Sequence, residues 1–172
     1  VWIIENKLFT AYVGDSRIYL LRGKFIQQLT IDHTWVQEAL EKGIITPDQM
    51  RDHPNVHVIR RHLGGIRLPE VDFRLRIDNA EDSEESMNNQ GFLLEPGDTI
   101  LMCTDGLTDL VWDDEMRDII RNKRDLKLSA EALVNLANER GGHDNISVVL
   151  LQMPRVEETM PRKGILGWLT GE

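Results

Sequence analysis

Thr99-Ile100-Leu101-Met102-Cys103-Thr104-Asp105-Gly106-Leu107-Thr108-Asp109 is the stretch on which the fold turns. Its first half is an apolar run that reads as a strand, and its second half switches abruptly to small residues and carboxylates. Such a switch marks a strand-to-helix passage. Upstream, Glu95-Pro96-Gly97-Asp98 has Pro early and Gly after it, as a type II turn requires, and joins this strand to another at Phe92-Leu93-Leu94. Downstream the period becomes helical. Met116, Ile119 and Ile120 share one face of a helix from Asp113, read as its cap, to about Asn122. Leu133, Leu136 and Ala137 do the same in a helix over Ser129 to Arg140, with Ser129 as cap and Gly141-Gly142 as stop. Ile146 to Met153 is apolar enough to predict a central strand covered on both faces.

Further upstream the β pattern dominates. Trp2 to Ile4, Leu8 to Val13, Arg17 to Leu21 and Phe25 to Leu29 are β-rich runs separated by Glu5-Asn6-Lys7, Gly14-Asp15-Ser16 and Arg22-Gly23-Lys24. Three turns in thirty residues predict an antiparallel meander. From Asp32 the period changes to a short helix capped by Thr34 and stopped by Gly43, and Thr46-Pro47 starts a second one running to about Asp52. Residues 55–70 fit neither period, while Val71 to Ile77 alternates apolar and charged residues like a half-buried strand. The acidic, Asn-containing stretch Asp78 to Gln90 reads as a solvated loop.

Composition narrows the function classes. The chain has 172 residues, with 20 Lys+Arg against 29 Asp+Glu and a formal charge of −9. That sign repels phosphate backbones and anionic lipid, so a nucleic-acid binder is disfavoured. One cysteine, Cys103, excludes an internal disulfide framework and a Cys-rich zinc site, and suits a reducing, cytoplasmic setting. No apolar run approaches the roughly 20 residues that span a bilayer. The basic-then-apolar tail over residues 155–172 is too short of charge and apolar bulk for a stable membrane anchor.

Four aspartates sit where the chain changes geometry beside small residues. They are Asp15 in Gly14-Asp15-Ser16-Arg17, Asp105 and Asp109 in the opening stretch, and Asp144 in Gly142-His143-Asp144-Asn145. A lone Asp-Gly is usually only a turn. Four carboxylates in similar settings repel one another unless something positive lies between them. With little His and no Cys set, a hard, oxygen-loving ion such as Mg²⁺ or Mn²⁺ is the chemistry that fits.

Five segments then carry a more specific resemblance. Val13-Gly14-Asp15-Ser16-Arg17, Leu29-Thr30-Ile31-Asp32-His33-Thr34, Leu94-Glu95-Pro96-Gly97-Asp98, Cys103 to Asp109, and Gly142-His143-Asp144-Asn145-Ile146-Ser147 are similar, in order and spacing, to the PPM family of metal-dependent Ser/Thr protein phosphatases of type 2C. Val36 to Leu63 resembles the flap subdomain of its bacterial members. The resemblance implies an α+β fold, an α-β-β-α sandwich of two antiparallel sheets flanked by helices. It implies a partial phosphatase domain over residues 1–154, a flap at about 33–65 and a tail over 155–172.

It further implies two core Mn²⁺ or Mg²⁺ ions, a third in many members, and attack of a metal-bridging water on phosphoserine or phosphothreonine. By motif, Asp105 and Asp144 resemble ligands of the second core metal, and Asp15 and Asp109 resemble ligands of the weaker third. Asn145 and Gly106 resemble residues that steady those ligands. Phosphorylated proteins and a cognate Ser/Thr kinase pathway are the implied partners.

The family's substrate-gripping arginine and metal-bridging Asp-Gly pair lie upstream of its Gly-Asp-Ser-Arg segment and have no counterpart here. The expectation is therefore a domain incomplete at its N-terminus that is inactive alone. Two other readings stay open: a non-catalytic, phosphatase-like interaction domain, and a carboxylate-rich Ca²⁺ module, although no D-x-D-x-D-G loop is present. Cys103 reads as a core residue, Arg17 as a local ion-pair partner, and His143 alone among the histidines as a candidate for the edge of the site.

Overall fold

A computed structural model describes residues 1–155 except 67 and 124. The strands β1 (Trp2–Ile4), β2 (Lys7–Phe9), β3 (Arg17–Arg22) and β4 (Phe25–Gln28) come first, followed by α1 (Trp35–Glu41) and a single 3₁₀ turn at Pro47–Gln49. Then come α2 (Ser83–Asn88), β5 (Phe92–Leu93), β6 (Thr99–Cys103), α3 (Asp105–Thr108), α4 (Asp113–Asn122), α5 (Leu126–Glu139) and β7 (Val148–Gln152). All strand pairs are antiparallel, in two sheets ordered β1-β2-β5 and β4-β3-β6-β7.

Alternation along β3 and β6 builds two cores from the same strands. Ile18, Leu20 and Ile100 point toward the three-stranded sheet and pack with Leu8, Leu29, Leu75 and Leu94. Tyr19, Leu21, Leu101 and Cys103 point the other way, against Met116 and Ile120 of α4 and Leu133 and Ala137 of α5. The molecule is thus two antiparallel sheets with flanking helices, as expected. On the open face of the smaller sheet, Trp2, Ile4 and Leu93 are exposed.

Several local expectations are corrected. The first four strands do not form one meander. β1-β2 and β3-β4 are separate hairpins in different sheets, because the chain crosses between sheets at Gly14, whose φ of 111° breaks the extended run. Residues 71–77 are not a strand: only Asp72 makes a bridge, to Tyr12. Val71 and Phe73 face solvent while Asp72 and Leu75 are buried.

The backbone groups of residues 71–77 are satisfied elsewhere. Leu75 N–H donates to Ser86 O at 2.8 Å, and its carbonyl accepts from Asn89 Nδ2 at 2.9 Å. The helix that supplies those partners, α2, lies in the stretch expected to be a solvated loop. Asp82 caps it through the N–H groups of Glu84 and Glu85, and Glu85 returns a bond to the Asp82 N–H.

The helix caps shift as well. Asp113 is the first residue of α4 rather than its cap, and α5 starts at Leu126 with Asp125 as cap, so that Ser129 is buried inside the helix. Pro47 starts only a 3₁₀ turn. Strand β7 lies at the edge of its sheet, not its centre, with Val149 and Leu151 exposed. By contrast, Thr34 caps α1, Gly43 follows it at φ 65°, and Gly97 takes φ 90° in the Glu95–Asp98 turn. The tail expected over 155–172 lies, beyond residue 155, outside the described residues.

Candidate metal centre

A cleft of about 810 Å³ opens at one end of the sheets, and Asp15, Asp105, Asp109 and Asp144 all line it. Each arrives from a different direction. Asp15 precedes β3, Asp105 opens α3 directly after β6, Asp109 closes α3, and Asp144 sits between α5 and β7.

The Asp105 and Asp144 loops are clamped together by the residue between β6 and α3. Thr104 Oγ1 donates to Asn145 O at 2.9 Å and accepts from Ser147 N–H at 3.0 Å, while Thr104 N–H donates to Ser147 O at 3.2 Å. Gly106 is where the loops touch: a Cβ there would lie 2.6 Å from Asn145 O, so only glycine permits this approach. Both carboxylates are steadied from the backbone. Gly106 N–H donates to Asp105 Oδ1 at 2.9 Å, and Asn145 N–H donates to Asp144 Oδ1 at 2.6 Å. The support that Asn145 gives Asp144 is therefore a main-chain bond.

Asp15 is held through its neighbour. Buried His33 accepts the Gly14 N–H on Nδ1 at 3.0 Å, and the two residues also pair through His33 N–H and Gly14 O at 3.0 Å. An accepting Nδ1 leaves the proton on Nε2, which donates to Asp72 Oδ2 at 3.0 Å. Arg74 clasps the same carboxylate, with Nη2 2.6 Å from Oδ2. Burial opposes the charge on Asp72, but the bonds from His33 and Arg74 prevail and hold its carboxyl well below the ordinary range.

In the wall of the cleft, Arg17 Nη2 lies 2.7 Å from Asp32 Oδ2. Its Nη1 donates to Tyr19 Oη at 3.1 Å, and Tyr19 Oη donates to Asp113 Oδ1 at 3.2 Å. Arg17 is a local ion-pair partner, as its sequence setting suggested. Cys103 is buried, and burial pushes its thiol up to about 12.

Charge is concentrated in the cleft. Burial raises the Asp15 pKa, and the nearby charge of Asp105 raises it further, with Asp32 and Asp109 adding to it. Burial also raises Asp109; His57 offsets part of this, and Asp105 adds to it. These carboxylates feel one another, and an all-oxygen donor set of this kind suits a hard divalent cation. Yet among the described residues no group of three or more His, Cys, Asp or Glu side chains converges tightly enough to hold a metal ion. The donor chemistry fits such an ion, and the geometry offers it an incomplete set.

Two contacts from the segment after α1 were not anticipated. Arg51 stacks 3.5 Å from the Trp112 ring centroid and donates through Nη2 to the carbonyls of Thr108 at 3.3 Å and Asp109 at 2.7 Å. His57 Nδ1 lies 3.5 Å from Asp109 Oδ2. No local signal marks either residue, since the partners lie about fifty residues away. Thr104 and His33 do stand inside the motifs, each next to a carboxylate, and only their distant partners reveal what they do. His143 lines the cleft.

Two sheets with flanking helices and a carboxylate-lined cleft at one end define a PPM-type architecture. The comparisons agree with it. The chain is 38% identical over 151 residues to the protein phosphatase PhpP of Streptococcus pneumoniae, covering 88% of this chain and 55% of that protein. It is 35% identical over 162 residues to the serine/threonine phosphatase stp of Listeria monocytogenes, covering 93% and 55%. Among solved structures, the S. agalactiae serine/threonine phosphatase superposes with a TM-score of 0.75 at 30% identity, over 88% of this chain and 56% of that one. The catalytic domain of the phosphatase PstP, solved in complex with two manganese ions, superposes with a TM-score of 0.64 at 32% identity, over 86% and 54%. No family model matches. The chain is a homologue of bacterial type 2C Ser/Thr phosphatases over most of its length, and it spans about half the length of the curated relatives it matches.

Proposed function

We propose that the chain carries part of the active centre of a metal-dependent phosphatase acting on phosphoserine and phosphothreonine in proteins. The observation that carries this reading is the meeting of Asp15, Asp105, Asp109 and Asp144 in one cleft of a phosphatase homologue. Asp105 and Asp144 would hold a core Mn²⁺ or Mg²⁺, and Asp15 and Asp109 a weaker ion. Bound divalent ions supply a water of lowered pKa and neutralise charge on phosphoryl oxygens.

The chain's own residues do the rest. Thr104 and Gly106 hold the two core carboxylates together, and His33 fixes the Gly14-Asp15 turn. Arg17 is spent on Asp32, and protonated Cys103 is no nucleophile. Residues 33–65 form the flap, with Arg51 and His57 bearing on the Asp109 loop. The substrates are phosphoproteins of a Ser/Thr kinase pathway, and the setting is cytoplasmic.

Because no three donors converge among the described residues, we infer that this chain alone holds metal weakly and turns over poorly. Phosphate release from a phosphothreonine peptide tests this. The expected result is Mn²⁺-dependent release far below the ~10 s⁻¹ typical of enzymes, lost in Asp105→Asn. Release independent of Mn²⁺, or unchanged in the variant, contradicts the reading. The same incomplete donor set favours, as a second reading, a phosphatase-like interaction domain. That reading predicts no release at any Mn²⁺ concentration.

A further inference from the structure

The cleft contains three arginines, and two of them are spoken for. Arg17 is bonded to Asp32 and Tyr19, and Arg51 to the carbonyls of Thr108 and Asp109 and to the Trp112 face. The third, Arg76, lines the same cleft as the four aspartates. Its Nε is buried and has no hydrogen-bond partner among the described residues. Two residues earlier, Arg74 shows what a satisfied neighbour looks like, with three bonds from its guanidinium to the Asp72 carboxylate.

Arg76 is also presented rigidly. Its backbone N–H donates to Leu29 O at 2.9 Å, and adjacent Leu75 is fully buried. Nε itself is closed to solvent, so an incoming anion would be met by the terminal Nη groups, which make no hydrogen bond to the described residues, with Nε–H as the buried reporter beside them. A planar cation of this kind matches the oxygens of phosphate or carboxylate, with a bond stronger than a neutral one. It lines a cleft whose other charged groups include the four aspartates, and there an incoming anion needs a positive contact.

We propose that Arg76 binds an oxyanion of the phosphoprotein substrate, either its phosphoryl group or an acidic side chain beside it. This rests on the phosphatase reading above. It adds a binding residue from a segment that none of the phosphatase-like motifs covers.

Side-chain NMR of the ¹⁵N-labelled chain tests it, following the Arg76 Nε–H resonance, assigned by its disappearance in Arg76→Lys. One arm titrates inorganic phosphate and the other an unphosphorylated, Glu-containing peptide, both without added metal. The expected result is a saturable shift of that resonance in at least one arm, the arm showing which oxyanion is read. Arg76→Met, which keeps the apolar stem, should weaken the same anion roughly tenfold or more. A resonance unmoved in both arms, or equal affinity in Arg76→Met, overturns the proposal. Should Arg76→Met not fold, the wild-type resonance alone decides. Neither arm uses turnover or metal, so failure here leaves the phosphatase reading standing, and failure of that reading leaves these results legible.

Discussion

His33 acts through both ring nitrogens, one accepting from Gly14 and one donating to Asp72, at positions where solvent cannot substitute. Removing the ring strands the Gly14 N–H and takes one partner from a buried carboxylate. Each loss of this kind costs about 1–3 kcal/mol. His33→Ala is therefore expected to lower the urea midpoint clearly. His33→Asn should recover part of the loss, because its Oδ1 lies near the place of Nδ1 and accepts the same N–H. Equal destabilisation by the two substitutions would show that the Gly14 bond contributes nothing. The motif around Asp32-His33-Thr34 was legible in the sequence. The role of its histidine was not, because Asp72 lies 39 residues away and nothing local marks it.

At the scale of elements, α4 and α5 share an apolar core and are also tied by one ion pair. Glu115 accepts the Trp112 N–H at the start of α4 and pairs with Arg140 at the end of α5, Nη2 to Oε1 at 2.6 Å. The bond from Arg140 is the main cause that lowers the Glu115 pKa from 4.5 to about 2. A depressed carboxylate contributes stability above its unfolded pKa and loses it as pH falls through the folded value. The stability gap between wild type and Glu115→Gln should thus be present above pH 4.5 and shrink toward pH 2. Because the pair is partly exposed, the gap is expected at about 1 kcal/mol or less. Denaturation curves at several pH values check it, and a gap that does not change with pH counts against the pairing.

The same elements show what a sequence can and cannot reveal. The apolar runs marked β3 and β6 as strands, and Thr34 and Gly43 disclosed the ends of α1. The alternation over 71–77 misled because burial there follows the bonds of Asp72, a polar residue drawn inward by His33 and Arg74. The acidic stretch hid a helix because its carboxylates serve as caps rather than as solvated charge. β7 looked central because apolar content does not report which strand stands beside it.

Taken whole, the molecule places two cores back to back and brings the ends of four chain segments to one cleft. Part of the formal charge of −9 is thereby gathered in a cleft where burial, and then the charge of Asp105, raise the pKa of Asp15 and Asp109. That these carboxylates were special was legible, since each stood beside small residues at a turn. How closely they converge was not, because that depends on contacts such as Thr104 with residues 145 and 147. The central claim is that these carboxylates seat divalent cations, Asp105 and Asp144 a core ion and Asp15 and Asp109 a weaker one. Calorimetric titration of Mn²⁺ into the chain and into Asp105→Asn tests it most directly. The account predicts weak, saturable binding to the wild type and roughly tenfold or greater loss in the variant. Equal affinities, or no binding to the wild type, would contradict it.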